Sequence, residues 1–330
     1  MDHVCRRTFH RLRAGIPPLF ALMKKRQTLP GLTAVGLGAD GVFLVRMLRE
    51  PGKRPRILHW DFRPVSADAS QDKVLSALAR DYELKRARCT TLLDVADYQL
   101  LLTEAPDVHA DELKAALRWR VKDLINFHIN DASLDVFDLP GDVVPGRARE
   151  MYVVAARNSA IQERADVLDA AGINLDIIDI PELAQRNVAS LLPEDANGVA
   201  MLTLQASSGL VTLTRQGLMY LSRTLNVGTE TLEGAIEQAG YYDHIVLEIQ
   251  RSLDYYESHF REAPIRHLVL GGAAAGLPPL IEHLRANLNV QVSALDLSQL
   301  LDCDKALPEG LQLRCLAHIG AALRQEVKAL

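Results

Sequence analysis

Three glycines and an acid carry the first chemistry visible in this sequence. Gly36, Gly38 and Gly41 stand in the order G-x-G-x-x-G, and Asp61 lies 20 residues beyond the last of them. In that pattern glycines let a helix N-terminus approach a pyrophosphate, and the distant acid takes a ribose hydroxyl. The pattern requires a helix directly after Gly41. The next residues are Val42-Phe43-Leu44-Val45, aromatic and β-branched, which favour a strand. Asp40-Gly41 between two apolar runs is also a hairpin signal, because the central residues of such a turn take φ > 0. Turn chemistry favours the hairpin, and strand or helix over residues 42–48 decides between the two readings.

Other catalytic signatures are absent. There is no G-x-x-x-x-G-K-[ST], H-E-x-x-H or G-x-S-x-G. Cys5, Cys89, Cys303 and Cys315 form no C-x-x-C pair, and the ten histidines do not gather at metal-ligand spacing. His244 and His259 read as surface or satisfied histidines, and Asp296 and Asp302 as turn residues. No metal site is expected, and scattered thiols fit a reducing compartment.

The chain that must position these groups has 330 residues, a length that implies about two domains. Hydrophobic residues at 48% and charged residues at 24% exclude a disordered chain. A net charge of −5 excludes a protein built to coat nucleic acid. The charge is unevenly spread: residues 1–31 hold seven Lys/Arg and one acid (+6), leaving 30 − 41 = −11 for the rest. In this basic head Cys5, Phe9, Leu12 and Ile16 recur at spacings of 4, 3 and 4. They define one face of a short amphipathic helix, with Arg6, Arg7, Arg11 and Arg13 on the others. Arg6, Arg7, Phe9, Arg11, Leu12 and Arg13 are therefore candidate membrane contacts; the alternatives are a frayed leader or an over-long gene start with the true start at Met23. No apolar run reaches the ~18 residues of a spanning helix. Residues 15–23 are broken by Pro17-Pro18 and followed by Lys24-Lys25-Arg26. A cytoplasmic location is expected.

Folded structure should begin near Leu32. Strands are expected over 32–38, 41–48 and 54–61, a helix over 71–84, and strands over 90–93 and 98–103. A helix over 110–125 places Leu113, Leu117, Val121 and Leu124 on one face. Trp119 points about 160° away at 100° per residue, toward a neighbouring domain or a partner. Strands over 133–138 and 151–156, a helix over 159–171, a strand over 175–180 and a helix over 182–192 come next. Three short strands over 199–204, 209–214 and 218–223 open a second half. It continues with two helices, the second over 242–261, then a strand over 265–270, a helix over 277–288, a strand over 290–294 and a helix over 313–330. Both halves open with three strands and then alternate, the order of a duplicated α/β domain.

Ala116-Leu117-Arg118-Trp119-Arg120-Val121-Lys122-Asp123-Leu124-Ile125, with Phe127-His128-Ile129 and Leu134-Asp135-Val136-Phe137, resembles the PilM family of type IV pilus assembly proteins. Glu248-Ile249-Gln250-Arg251-Ser252-Leu253-Asp254-Tyr255-Tyr256 and Leu268-Val269-Leu270-Gly271-Gly272 resemble its second-half helix and glycine turn. Within that family the sequence resembles the branch serving mannose-sensitive haemagglutinin pili. The resemblance implies an α/β, actin-like fold similar to FtsA, with two domains facing a nucleotide cleft. It implies a first domain of residues 32–96 and 173–197, an inserted small α+β subdomain over 97–172, and a second domain over 198–330. Residues 1–31 stand outside as the basic segment.

The resemblance also implies a cytoplasmic adaptor, peripheral at the inner membrane. Its partners would be the cytoplasmic tail of a PilN-like inner-membrane protein, with Trp119 a candidate contact, and other pilus-machine components including the motor ATPase. No nucleic acid is implied. The groove between the insert and the first domain is the candidate tail site.

The chain departs from the family at the nucleotide site. Gly36-Leu37-Gly38-Ala39-Asp40-Gly41 stands where the family reads roughly G-I/L-D-I-G-S, so Gly38 replaces the acid. Thr203-Leu204-Gln205-Ala206 stands for D-I-G-A, so Thr203 replaces the second acid and Gln205 a glycine. Magnesium needs oxygen ligands, usually carboxylate with phosphate. Of the family's pattern only Gly271-Gly272 remains, at the adenosine side. The implied protein has a degenerate site, no catalytic residue and no cofactor, with weak ATP binding at most. The rivals are an active actin-like ATPase holding magnesium through water near Asp40, and a dinucleotide-binding oxidoreductase using Gly36, Gly38, Gly41 and Asp61.

Overall fold

A computed structural model describes residues 28–66, 70–109, 112–141, 148–235, 237–304 and 307–325. The membrane candidates Arg6, Arg7, Phe9, Arg11, Leu12 and Arg13 lie outside the described residues.

β1 (Leu32–Leu37), β2 (Gly41–Leu48) and β3 (Arg56–Pro64) form an antiparallel meander. α1 (Gln71–Asp81) crosses to β4 (Arg88–Leu92), which runs parallel to β1. The chain then builds β5 (Tyr98–Glu104), α2 (Leu113–Val121), β6 (Ala132–Asp138) and β7 (Glu150–Arg157). These three strands pair separately, in the order β5-β7-β6. α3 (Asn158–Ala170) returns the chain to β8 (Leu175–Asp179), parallel to β4, and α4 (Pro181–Ala189) leads to the second lobe.

That lobe repeats the plan. β9 (Val199–Leu204), β10 (Gly209–Arg215) and β11 (Leu218–Leu225) form a second meander. α5 (Thr229–Gly234) and α6 (Ala239–His259) precede β12 (His267–Gly272), parallel to β9. α7 (Pro278–Asn287) and β13 (Gln291–Ala294) complete it, and β14 (Asp302–Cys303) and α8 (Glu309–Ala322) end the described chain. The first sheet is ordered β14-β3-β2-β1-β4-β8 and the second β11-β10-β9-β12-β13.

The apolar runs explain the layering. Seven of the eight β2 residues are buried because both faces of the strand are covered. Val42 and Leu44 pack with α1 and Leu168 of α3, while Phe43, Val45 and Met47 face a core shared with α4 and α8. β9 splits the same way: Val199 and Met201 join that shared core, whereas Ala200, Leu202 and Leu204 face α6 and α7. The helix pair α4/α8 is thus sandwiched between the two sheets. In the insert, Leu117 and Val121 of α2 bury against Val136, Met151 and Val153.

β2 pairs antiparallel with β1 from Leu32↔Met47 to Leu37↔Val42. The helix that a dinucleotide loop requires after Gly41 does not exist, so the oxidoreductase reading is withdrawn. The expected Asp40-Gly41 turn also changes. Gly38-Ala39-Asp40 makes the connection without a left-handed residue, and Gly41 already belongs to β2.

Three further expectations shift. α2 ends at Val121, because the amides of Leu124 and Ile125 both close on the Val121 carbonyl; Leu124 is consequently 55% exposed rather than in the core. α3, placed by the sequence inside an insert ending at 172, buries Leu168 in the first sheet's core. The C-terminal stretch, assigned to the second domain, is shared: β14 pairs with β3 of the first sheet, and α8 packs on α4 and on β1, β2 and β12 of the two sheets.

Candidate functional site

The site expected from sequence lies where the upper ends of both sheets meet α4 and α8. In the first hairpin the Gly38 amide donates to the Gly41 carbonyl at 2.8 Å, and Gln71 of α1 donates to the Gly38 carbonyl at 3.0 Å. Each flanking glycine answers to a close neighbour. A Cβ on Gly36 would stand 2.2 Å from Nε2 of His318, and one on Gly41 would stand 2.5 Å from the Arg63 carbonyl oxygen. Gly36 and Gly41 are therefore required by α8 and by β3, whatever the hairpin binds. Asp40 accepts from Arg314 of α8 at 2.7 Å across the mouth of the site.

The second hairpin is tied down as firmly. Gln205 donates its amide to the Ser208 carbonyl at 2.7 Å, and the Gln205 and Ala206 carbonyls accept from Thr229 and Glu230 at the start of α5. The Thr203 hydroxyl donates to Oε1 of Gln185 at 2.6 Å. Gln185, buried on α4, donates in turn to the Met201 carbonyl at 2.8 Å and to Oγ1 of Thr212 at 3.0 Å. Thr203 is thus a strut between β9 and α4.

The glycine turn is closed over by α8. A Cβ on Gly271 would meet Cε of Met201 at 2.5 Å and Cδ2 of Leu316 at 2.6 Å, and Gly272 has φ +57° beneath the Leu313 carbonyl. The space left among Thr203, Gln205, Gly272, Leu313, Arg314 and Leu316 is about 60 Å³. Sites for small-molecule ligands run to roughly 300–1,000 Å³, and one water takes about 30 Å³.

His318 is the group that sequence reasoning missed. Its ring stands over Gly36 and 5.9 Å from Phe43, and its enclosed Nδ1 has no hydrogen-bond partner among the described residues. Burial pulls its pKa down to about 4, with Arg164 adding to the effect and Asp94 opposing it. Burial pushes the neighbouring Cys315 thiol up to about 12, which removes it as a nucleophile near neutral pH. Among the described residues no group of three His, Cys, Asp or Glu side chains is placed to hold a metal ion.

A second hollow, of about 250 Å³, opens where the first sheet, the entrance to the insert and α3 meet. Leu37, Gln71, Asp72, Asp97 and Glu163 line it, with Arg164 paired to Asp94 at 2.7 Å. The insert beside it is anchored to α4 by Tyr98, whose hydroxyl donates to Oε2 of Glu182 at 2.6 Å. Burial, aided by the charge of Asp179, raises the Glu182 pKa, while the Tyr98 hydrogen bond works against the rise. Among the described residues Trp119 packs on no neighbouring domain. It is 74% exposed on α2, with Nζ of Lys122 5.1 Å from its ring centroid.

The paired three-strand meanders, each extended by parallel strands and separated by α4 and α8, define a protein of the actin-like ATPase fold. Residues 102–241, from the first insert strand to the start of α6, match the family model for type IV pilus assembly protein PilM. A solved PilM-PilN type IV pilus biogenesis complex is similar at 20% identity and a TM-score of 0.66, covering 89% of this chain and 98% of that one. The cytoplasmic domain of EpsL, an inner-membrane component of the Vibrio cholerae type II secretion system, is 13% identical with a TM-score of 0.47 and covers 89% and 96%. A Bacteroides thetaiotaomicron protein of actin-like ATPase fold and unknown function is 8% identical with a TM-score of 0.47, covering 86% and 96%. No curated protein matches the sequence.

Proposed function

We propose that this PilM-like chain is a cytoplasmic adaptor of a type IV pilus assembly machine. It binds the cytoplasmic tail of a PilN-like inner-membrane protein and does not turn over ATP. The observation that carries the reading is the filled interlobe site. Its cavity of about 60 Å³ is far below nucleotide size, Thr203 is bound to Gln185, and Asp40 is bound to Arg314. Phosphoryl transfer needs metal and an oriented nucleophile against the phosphates, and Gly38 and Thr203 carry no charge to hold either. The protein takes no cofactor in this reading, and ATP binds weakly at most.

The tail lies in the groove between insert and first domain, where β5 is an edge strand able to accept an extended peptide. The acidic residues Asp72, Asp97 and Glu163 favour a tail with basic residues near its docking segment. We place the machine in the class that builds mannose-sensitive haemagglutinin pili, with MshI as the counterpart. The adaptor sits at the inner face of the inner membrane and links the PilN-like protein to other components, including the motor ATPase. No described helix is long and apolar enough to cross a membrane.

The test is a pull-down against N-terminal tails of single-span proteins from the same operon, with and without ATP and magnesium. Binding that ignores nucleotide is expected. Hydrolysis above background that persists through purification and is lost in Asp40→Ala would replace the adaptor by an active ATPase.

A further inference from the structure

The insert touches both lobes. The chain leaves the first lobe after β4 and comes back to it through α3. Alternate residues of a strand share a face, so Tyr152, Val154 and Ala156 of β7 lie opposite Met151 and Val153, which pack on α2. Val154 and Ala156 meet Leu93, Ile178 and Ile180 of the first lobe. Tyr152, nearer the start of the same strand, reaches the second lobe instead. Its hydroxyl donates to the Tyr220 carbonyl of β11 at 3.4 Å. Burial raises the Tyr152 pKa, and a hydrogen bond with the Ser222 backbone opposes the rise.

Aromatic rings back this contact on each side. Tyr152 is buried and stacks on Phe137 of β6, with ring centroids 5.1 Å apart. Tyr220, also buried, meets Tyr256 of α6 and Phe260 at its end edge-on, at 5.3 and 4.9 Å. A Cβ on Gly141, just beyond β6, would stand 3.5 Å from Cδ1 of Phe260, so the chain after β6 lies against the same ring. β11 is an edge strand of the second sheet, and the insert covers part of that edge. The buried Tyr98–Glu182 bond at 2.6 Å holds the insert to α4. Lobes joined only by chain crossings and a shared helical layer can swing about a hinge. A further attachment, away from α4 and α8, opposes that swing.

We infer that the insert is a clamp that fixes the angle between the lobes, with Tyr152, backed by Phe137, as its grip on β11 and the end of α6. The clamp keeps the cleft between the lobes from opening. It goes beyond the adaptor reading and stands whether or not ATP binds, because it concerns shape alone.

The experiment measures the distance between the lobes in the full chain. Spin labels go on Ser76→Cys of α1 and Ala286→Cys of α7, exposed positions on the outer helices, in a parent carrying Cys5→Ser and Cys303→Ser. Cys89 and Cys315 are buried and stay. Double electron–electron resonance should give one narrow distance distribution for the parent. Tyr152→Ala should lengthen the mean distance and broaden the distribution. Tyr152→Phe keeps the ring and loses one hydrogen bond, which should raise the open fraction roughly two- to tenfold. Phe260→Ala, on the second lobe, should act in the same direction as Tyr152→Ala. Trp119→Ala, on the outer face of the insert, should change nothing. A cooperative thermal melt shows that each variant folds. The inference is overturned if Tyr152→Ala keeps the parent distribution, or, where that variant does not fold, if Phe260→Ala keeps it. It is equally overturned if the parent distribution is already broad, since the lobes then swing with the clamp in place.

Discussion

Arg314 and Asp40, 274 residues apart in the chain, meet at 2.7 Å and join the last helix to the first hairpin. Their side chains are 64% and 62% exposed, so the pair lies on the rim of the site rather than in its core. An exposed ion pair adds at most about 1 kcal/mol. Arg314→Ala should therefore shift the melting temperature little, and should leave ATP hydrolysis at background because Leu313 and Leu316 still fill the interior. A steady-state phosphate-release assay checks this, and turnover gained in Arg314→Ala would show that the ion pair alone closes a working site.

Gly36 and His318 provide a test of packing against ligand binding. Gly36→Ala should cost roughly 1–3 kcal/mol, since the added methyl would stand 2.2 Å from Nε2 of the imidazole. Combining it with His318→Ala should recover part of that loss, giving a coupling energy well above the ~0.5 kcal/mol expected of independent sites. Urea unfolding of the four proteins measures the cycle. Strict additivity would mean that the two residues do not meet.

The same histidine predicts an acid sensitivity. With its native pKa lowered to about 4 from an ordinary 6.5, His318 binds protons less readily in the folded chain than in the unfolded one. Its contribution is fully present above pH 6.5 and declines as pH falls toward 4. Glu182 has the opposite sign, since its raised pKa makes a stabilising contribution at low pH that is lost as pH rises through the native value. Denaturant midpoints measured across pH should fall less steeply below 6.5 in His318→Leu. Glu182→Gln should be best tolerated near neutral pH, with Tyr98 still able to donate to the amide oxygen.

Trp119 and Leu117 separate binding from folding within one helix. Trp119→Ala should change stability by less than about 1 kcal/mol, the scale of its exposed contact with Lys122, while reducing capture of a pilus-machine partner. Leu117→Ala should cost about 2–5 kcal/mol, because that side chain is fully enclosed by the insert's small sheet. Thermal melts beside pull-downs distinguish the two. Unchanged capture by Trp119→Ala would remove this face from the interface.

What the residues determined by themselves was local. The aromatic and β-branched run after Gly41 could satisfy its backbone only as a strand covered on both faces, which sets the register of β1 with β2. The spacing of Leu113, Leu117 and Val121 set the buried face of α2, and the family resemblance put the uncharged Gly38 and Thr203 where acids were expected. Tertiary structure decided the rest, because the deciding contacts span hundreds of residues and leave no short-range period. Buried Cys315, Leu316, Ile319, Ala321 and Ala322 lie around α8 in the core between the sheets, so no polar face announces where it packs. Only closure of the two lobes brings His318 over Gly36, Arg314 to Asp40 and Leu316 onto Gly271. Gly36, Gly41 and Gly271, which read as phosphate-binding in the sequence, are in the folded chain places where helix and strand have no room for a methyl group.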